Sequence, residues 1–122
     1  MRVVVVEDDS QLRSVLAVFF RSIGAQVLTL AADGQEALEA LETLQPDLIV
    51  TDCQMPRLDG IGMTRRLRGR GDRTPIIMMS GQTDPTVRNL ALSAGVNQYL
   101  TKPLNAGALN LAIVQTLRGH AA

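Results

Sequence analysis

The chain has 122 residues, 46% of them apolar and 20% charged, with a formal net charge of zero. That suits one packed globular core over residues 1–122, and it excludes a disordered chain and a global basic field for nucleic acid. The longest apolar runs are far too short for a membrane span, no secretory signal is read, and the single cysteine, Cys53, leaves no internal disulfide, so a cytoplasmic protein is expected.

Val3 to Val6 is a β-branched run, too short for a helix and continuous enough for a strand buried on both faces. It ends in Glu7, Asp8 and Asp9. Leu12, Val15, Leu16 and Phe19 then recur at helical spacing, so a helix is expected from about Ser10 to Ser22, with Asp9 or Ser10 as its cap. Gly24 ends it, and Gln26 to Leu30 reads as a short strand. Asp33 with Glu36 forms a capping-box pattern ahead of a helix whose stripe is Ala37, Leu38, Leu41 and Leu44.

Leu48 to Thr51 is the central strand, and the residue at its polar end is a lone acid, Asp52. Pro56 and the Asp59-Gly60 pair break the chain before a helix carrying Ile61, Met63, Thr64 and Leu67. The arginines from Arg65 to Arg73 lack interleaved aromatics, which favours a solvated or protein-docking face over direct nucleic-acid contact. Ile76 to Met79 is the fourth strand, closed by Ser80-Gly81. Asp84 and Pro85 open a helix that Gly95 stops. Gln98 to Thr101 is the fifth strand, followed by Lys102-Pro103, and a last helix is expected from about Asn105 to Leu117. Residues 119–122 are expected to fray.

Five strands alternating with five helices predict an α/β, doubly wound (βα)5 flavodoxin-like three-layer sandwich around a five-stranded parallel sheet. All strand carboxyl ends then share one edge, and ligands of open α/β sheets bind there. That edge collects Glu7, Asp8, Asp9, Asp52, Ser80 and Lys102, the only lysine beside eleven arginines. Clustered carboxylates repel one another, and a divalent oxygen-loving cation such as Mg²⁺ (or Mn²⁺) would relieve them. Asp52 as a nucleophile toward a phosphoryl group uses the whole set. Glu7, Asp8 and Asp52 would hold the metal, while Lys102 and the Ser80 hydroxyl take phosphoryl oxygens.

The segments VVVVEDDS, TDCQMPRLDG, IIMMSG and YLTKP, in this order and spacing, resemble the receiver domains of bacterial two-component response regulators. The resemblance runs from Arg2 to about Leu117. It implies a phosphorelay module in which Asp52 takes a phosphoryl group from phosphohistidine of a histidine kinase or phosphotransfer protein. It further implies Glu7 and Asp8 as the acidic pair, Gln54 as a metal ligand through its backbone carbonyl, Ser80 and Tyr99 as switch residues, Lys102 as the phosphate-sensing lysine, and a cis Lys102-Pro103 bond. Such a domain is a signalling module, not a turnover enzyme: it catalyses only its own phosphorylation and dephosphorylation. Its output partner is not named by the sequence, and the aliphatic excess of the last helix points to a partner or a homodimer there.

Two other readings fit less well. An aspartyl-nucleophile phosphohydrolase typically carries a second acid two residues beyond the nucleophile, where this chain has Gln54. Flavin or nucleotide binding would need glycines or hydroxyls in the first loop, which instead offers three acids.

Overall fold

A computed structural model describes residues 1–121. The elements run β1 (Arg2–Val6), α1 (Ser10–Ser22), β2 (Gln26–Ala31), α2 (Gly34–Ala40), β3 (Leu48–Asp52), α3 (Gly60–Gly69), β4 (Ile76–Ser80), α4 (Pro85–Ala94), β5 (Gln98–Thr101) and α5 (Ala106–Ala121). The strands form one parallel sheet in the order β2-β1-β3-β4-β5.

The continuous apolar strands arise because both sheet faces are covered. Val4, Val6, Ile49, Ile76 and Met78 pack against Ala37, Leu38, Met63, Leu67 and Ala91 from α2, α3 and α4. Their alternating neighbours Val3, Val5, Leu48, Val50, Ile77 and Met79 pack against Leu16 and Phe20 of α1 and Leu109, Ala112 and Ile113 of α5. These are the two outer layers of the expected sandwich.

Helix starts follow the sequence punctuation. Asp9, not Ser10, caps α1, its carboxylate accepting from the N–H groups of Gln11 and Leu12 at 2.9 and 3.3 Å. Asp33 caps α2, Asp59 caps α3, and Asp84 caps α4 with Pro85 in its first turn. Gly95 ends α4 at φ 115°, a left-handed conformation that glycine adopts without strain.

Two boundaries differ from expectation by more than one residue. α2 stops at Ala40, a turn short of Leu44, and the chain closes in turns before Pro46. Leu41 still reaches the core from beyond the helix end. α5 runs past Leu117 to Ala121; of the tail expected to fray, Ala122 lies outside the described residues.

The strand order reverses on either side of β1, which places the crevice between the carboxyl ends of β1 and β3.

Candidate functional site

Strand register brings the candidate residues together. Val6 pairs with Thr51, so the next residues, Glu7 and Asp52, meet at the ends of adjacent strands. Asp52 pairs with Met79 and Ser80 with Thr101, which sets Ser80 and Lys102 one step beyond on the neighbouring strands. The Lys102 N–H donates to the Ser80 carbonyl at 2.7 Å, carrying that alignment past the end of β5.

Asp52 is 7% exposed, at the end of a strand buried along its whole length. One carboxylate oxygen accepts from the Cys53 N–H at 2.8 Å, and the other accepts from Lys102 Nζ at 3.1 Å. Lys102 also reaches Glu7 Oε1 at 3.4 Å. Burial opposes the ammonium form, but the contacts to Asp52 and Glu7 outweigh it and hold the Lys102 pKa above its ordinary value. The lysine is therefore a fixed positive charge facing two buried carboxylates. The Lys102-Pro103 bond that follows is cis.

Glu7 is fully buried. Burial pushes its pKa from the ordinary 4.5 up to about 7. The Asp9 N–H at 3.1 Å and Lys102 pull it down, while Asp52 and Asp8 push it further up. Asp8 is exposed, at the mouth of the crevice. Oxygens of Glu7, Asp8 and Asp52 all lie within 4.8 Å of one another. Three carboxylates against one ammonium leave a surplus of negative charge in a partly dry crevice, and the donors are all oxygen. This donor set fits a hard divalent cation of the Mg²⁺ type, with coordination positions left for water and phosphate oxygens.

Ser80 is 1% exposed, and its hydroxyl oxygen accepts from the Gln82 N–H at 3.0 Å. Tyr99 on β5 is half-buried against the core face that includes Val87, and its hydroxyl donates to the Gln82 carbonyl at 2.9 Å. Ser80 and Tyr99 therefore hold the N–H and the carbonyl of the same residue of the β4–α4 loop. Gln54 is exposed, two residues beyond Asp52 in the β3–α3 loop.

Gly60 packs against the backbone of Asp52 and Cys53. Its N–H donates to the Cys53 carbonyl at 2.8 Å, and a Cβ there would stand 2.3 Å from the Asp52 carbonyl oxygen. Asp59 and Gly60 thus serve the turn and the helix start. Cys53 is buried, and that burial raises its thiol pKa.

One contact beside the site had no counterpart in the sequence reading. Arg57, at φ 65°, donates from Nε and Nη2 to both carboxylate oxygens of Asp33, at 2.8 and 3.2 Å. Asp33 was legible as a helix cap; Arg57 was one arginine among eleven, and only the fold brings the two together.

Comparisons with known proteins agree with this geometry. Residues 3–114 match the sequence profile of the response regulator receiver domain. The chain is 40% identical over 103 residues to the Regulator of RpoS of Escherichia coli, which covers 84% of this chain and 30% of that protein. It spans less than half the length of the curated relatives it matches. Among solved structures, the receiver domain of the Francisella response regulator 1452 superposes with a TM-score of 0.90 at 32% identity, covering 98% of each chain. The receiver domain of the sensor histidine kinase PA1611 from Pseudomonas aeruginosa PAO1, solved with a magnesium ion in its active-site cleft, gives 0.86 at 35% identity over 95% of this chain and 96% of that one. The chain belongs to the response regulator receiver domain family, the signalling modules of two-component systems.

Proposed function

We propose that Asp52 is the phosphoryl acceptor of this receiver domain. The observation that carries the reading is the pairing of a buried strand-end carboxylate with the only lysine, 3.1 Å away, at the crevice between β1 and β3. A carboxylate oxygen of Asp52 attacks phosphorus of a phosphohistidine presented by a histidine kinase or phosphotransfer protein. The P–N bond breaks, the imidazole leaves with its electron pair, and an acyl phosphate forms. Lys102 turns from the ionised carboxylate to the new phosphoryl oxygens, where its point charge suits a dianion. Ser80 would release the Gln82 N–H and turn its hydroxyl toward the same group.

Mg²⁺ bound by Glu7, Asp8, Asp52 and the Gln54 carbonyl would supply charge neutralisation at the phosphoryl oxygens. The magnesium ion in the cleft of the Pseudomonas relative supports that assignment, as does the all-oxygen cluster of this chain. The domain catalyses only its own phosphorylation and dephosphorylation. The missing acid at Gln54 argues against a turnover phosphohydrolase.

A partner must approach the carboxyl edge of the sheet, where α1 begins. Val15 and Val18 of α1 are 62% and 66% exposed, an apolar strip that suits a helical donor. On α5, Leu111 and Val114 remain exposed while Leu109, Ala112 and Ile113 are buried. That spare face is the surface for an output partner or a second copy, and a strict monomer at every concentration, with and without phosphorylation, would remove the second-copy option. Incubation with Mg²⁺ and acetyl phosphate followed by intact mass measurement tests the acceptor. One phosphate adduct on the wild type and none on Asp52→Asn is expected; no adduct on either, or equal adducts on both, refutes the assignment.

A further inference from the structure

The β3–α3 loop is held at both ends and free in the middle. At its start, the Cys53 N–H is shared with the Asp52 carboxylate and the Met79 carbonyl, and Gly60 donates back to the Cys53 carbonyl. At its far side, the Gly34 N–H donates to the Leu58 carbonyl at 3.0 Å. Arg57 forks onto Asp33 beside that bond. Between these anchors, the backbones of Gln54 and Met55 make none of the turn and loop hydrogen bonds of the described residues.

Arg57 is also the only described non-glycine residue with a positive φ. A left-handed conformation is unfavourable for a side chain with a Cβ, so something must hold it there. The Leu58 N–H to the Pro56 carbonyl at 2.7 Å and the Gly34–Leu58 bond fix the turn on its far side, and the two-pronged contact to Asp33, made by a side chain 59% exposed, ties it to α2. Asp33 is 7% exposed and locked by its own capping bond to the Glu36 N–H at 2.8 Å. The guanidinium holds the Asp33 pKa below its ordinary value, and Asp33 raises that of Arg57, so both stay charged at neutral pH. The approach is close as well: a Cβ on Gly34 would lie 2.5 Å from the Leu58 carbonyl oxygen.

From this we infer that Arg57 is a positioning residue for metal binding: by clamping the loop tip to the start of α2, it sets the direction of the Gln54 carbonyl. The inference rests on the acceptor-site reading above and adds a residue that touches neither metal nor phosphate. Its sign separates it from simple electrostatics. A cation acting through charge alone repels Mg²⁺, so its removal would tighten Mg²⁺ binding. A clamp that orients a ligand predicts the opposite.

The test follows adduct formation from phosphoramidate by intact mass across a Mg²⁺ titration, with urea midpoints alongside. Arg57→Ala should raise the half-saturating Mg²⁺ concentration roughly tenfold, the scale set by partners that orient metal ligands. The rate at saturating Mg²⁺ should stay nearly unchanged, the urea midpoint should barely move, and Arg57→Lys should recover part of the loss. An unchanged or lowered half-saturating concentration in Arg57→Ala, beside a wild type that forms its adduct, overturns the clamp alone. A wild type without an adduct, or an Asp52→Asn variant that keeps it, overturns the acceptor reading and the clamp with it.

Discussion

Glu7 gives the sharpest physical prediction, because it is a fully buried carboxylate whose ionisation the fold opposes. Its pKa rises from the ordinary 4.5 to about 7, with burial as the largest cause. A carboxyl whose folded pKa is raised holds its proton more tightly in the native state than in the unfolded one. Its stabilising contribution is complete below 4.5 and is lost as pH climbs through 7. At about 1.4 kcal/mol per pH unit, the loss amounts to about 3 kcal/mol by pH 8, a large share of a stability that for such domains is about 5–15 kcal/mol. Glu7→Gln removes this titration and keeps the side chain nearly isosteric. Urea titrations in EDTA at pH 5, 6, 7 and 8 should show wild type losing about 3 kcal/mol relative to Glu7→Gln across the series. Groups common to both proteins cancel in that difference. Saturating Mg²⁺ should restore the wild type at pH 8 far more than the variant, since ligand bound to the native state adds stability by mass action. Parallel pH profiles for the two proteins, or a wild type that gains on the variant as pH rises, would refute the reasoning.

Lys102→Met removes the only cation within 4.0 Å of the Glu7 and Asp52 carboxylates among the described residues. The lysine is 28% exposed, so the expected loss is about 1–2 kcal/mol in urea melts at pH 8. It should shrink at pH 5, where Glu7 is protonated. Gly60→Ala sets a methyl 2.3 Å from the Asp52 carbonyl oxygen and 2.8 Å from Met78 Cε. It should cost about 1–3 kcal/mol by overpacking and slow adduct formation, because the strain falls on the peptide of Asp52 itself. A wild-type midpoint and rate would contradict that. Tyr99→Phe deletes the bond to the Gln82 carbonyl at a cost of about 0.5–1.5 kcal/mol, and hydrogen exchange in the β4–α4 loop should accelerate. Unchanged protection there would mean that the hydroxyl does not hold the loop.

Much of this protein was legible in local patterns. β-branched runs marked β1, β3 and β4, aspartates and glycines marked helix ends, and the acids, hydroxyl and lone lysine sat where those strands stop. Such features are read within a few residues of themselves, because caps, turns and amphipathic stripes are short-range physics. α2 shows where that reasoning weakens: its stripe ran on to Leu44, yet the helix closes at Ala40 and Leu41 is buried from outside it. The order β2-β1-β3-β4-β5, the register that sets Glu7 beside Asp52, and the choice of Asp9 over Ser10 as the α1 cap belong to tertiary structure. So do the near-neutral pKa of Glu7, which needs burial from several directions, and the Arg57–Asp33 clamp across 24 residues of chain. Local patterns specified which elements form and the chemical groups at their ends. Only the packed sheet decided which groups touch, because separation in space between distant residues is a property of the whole core.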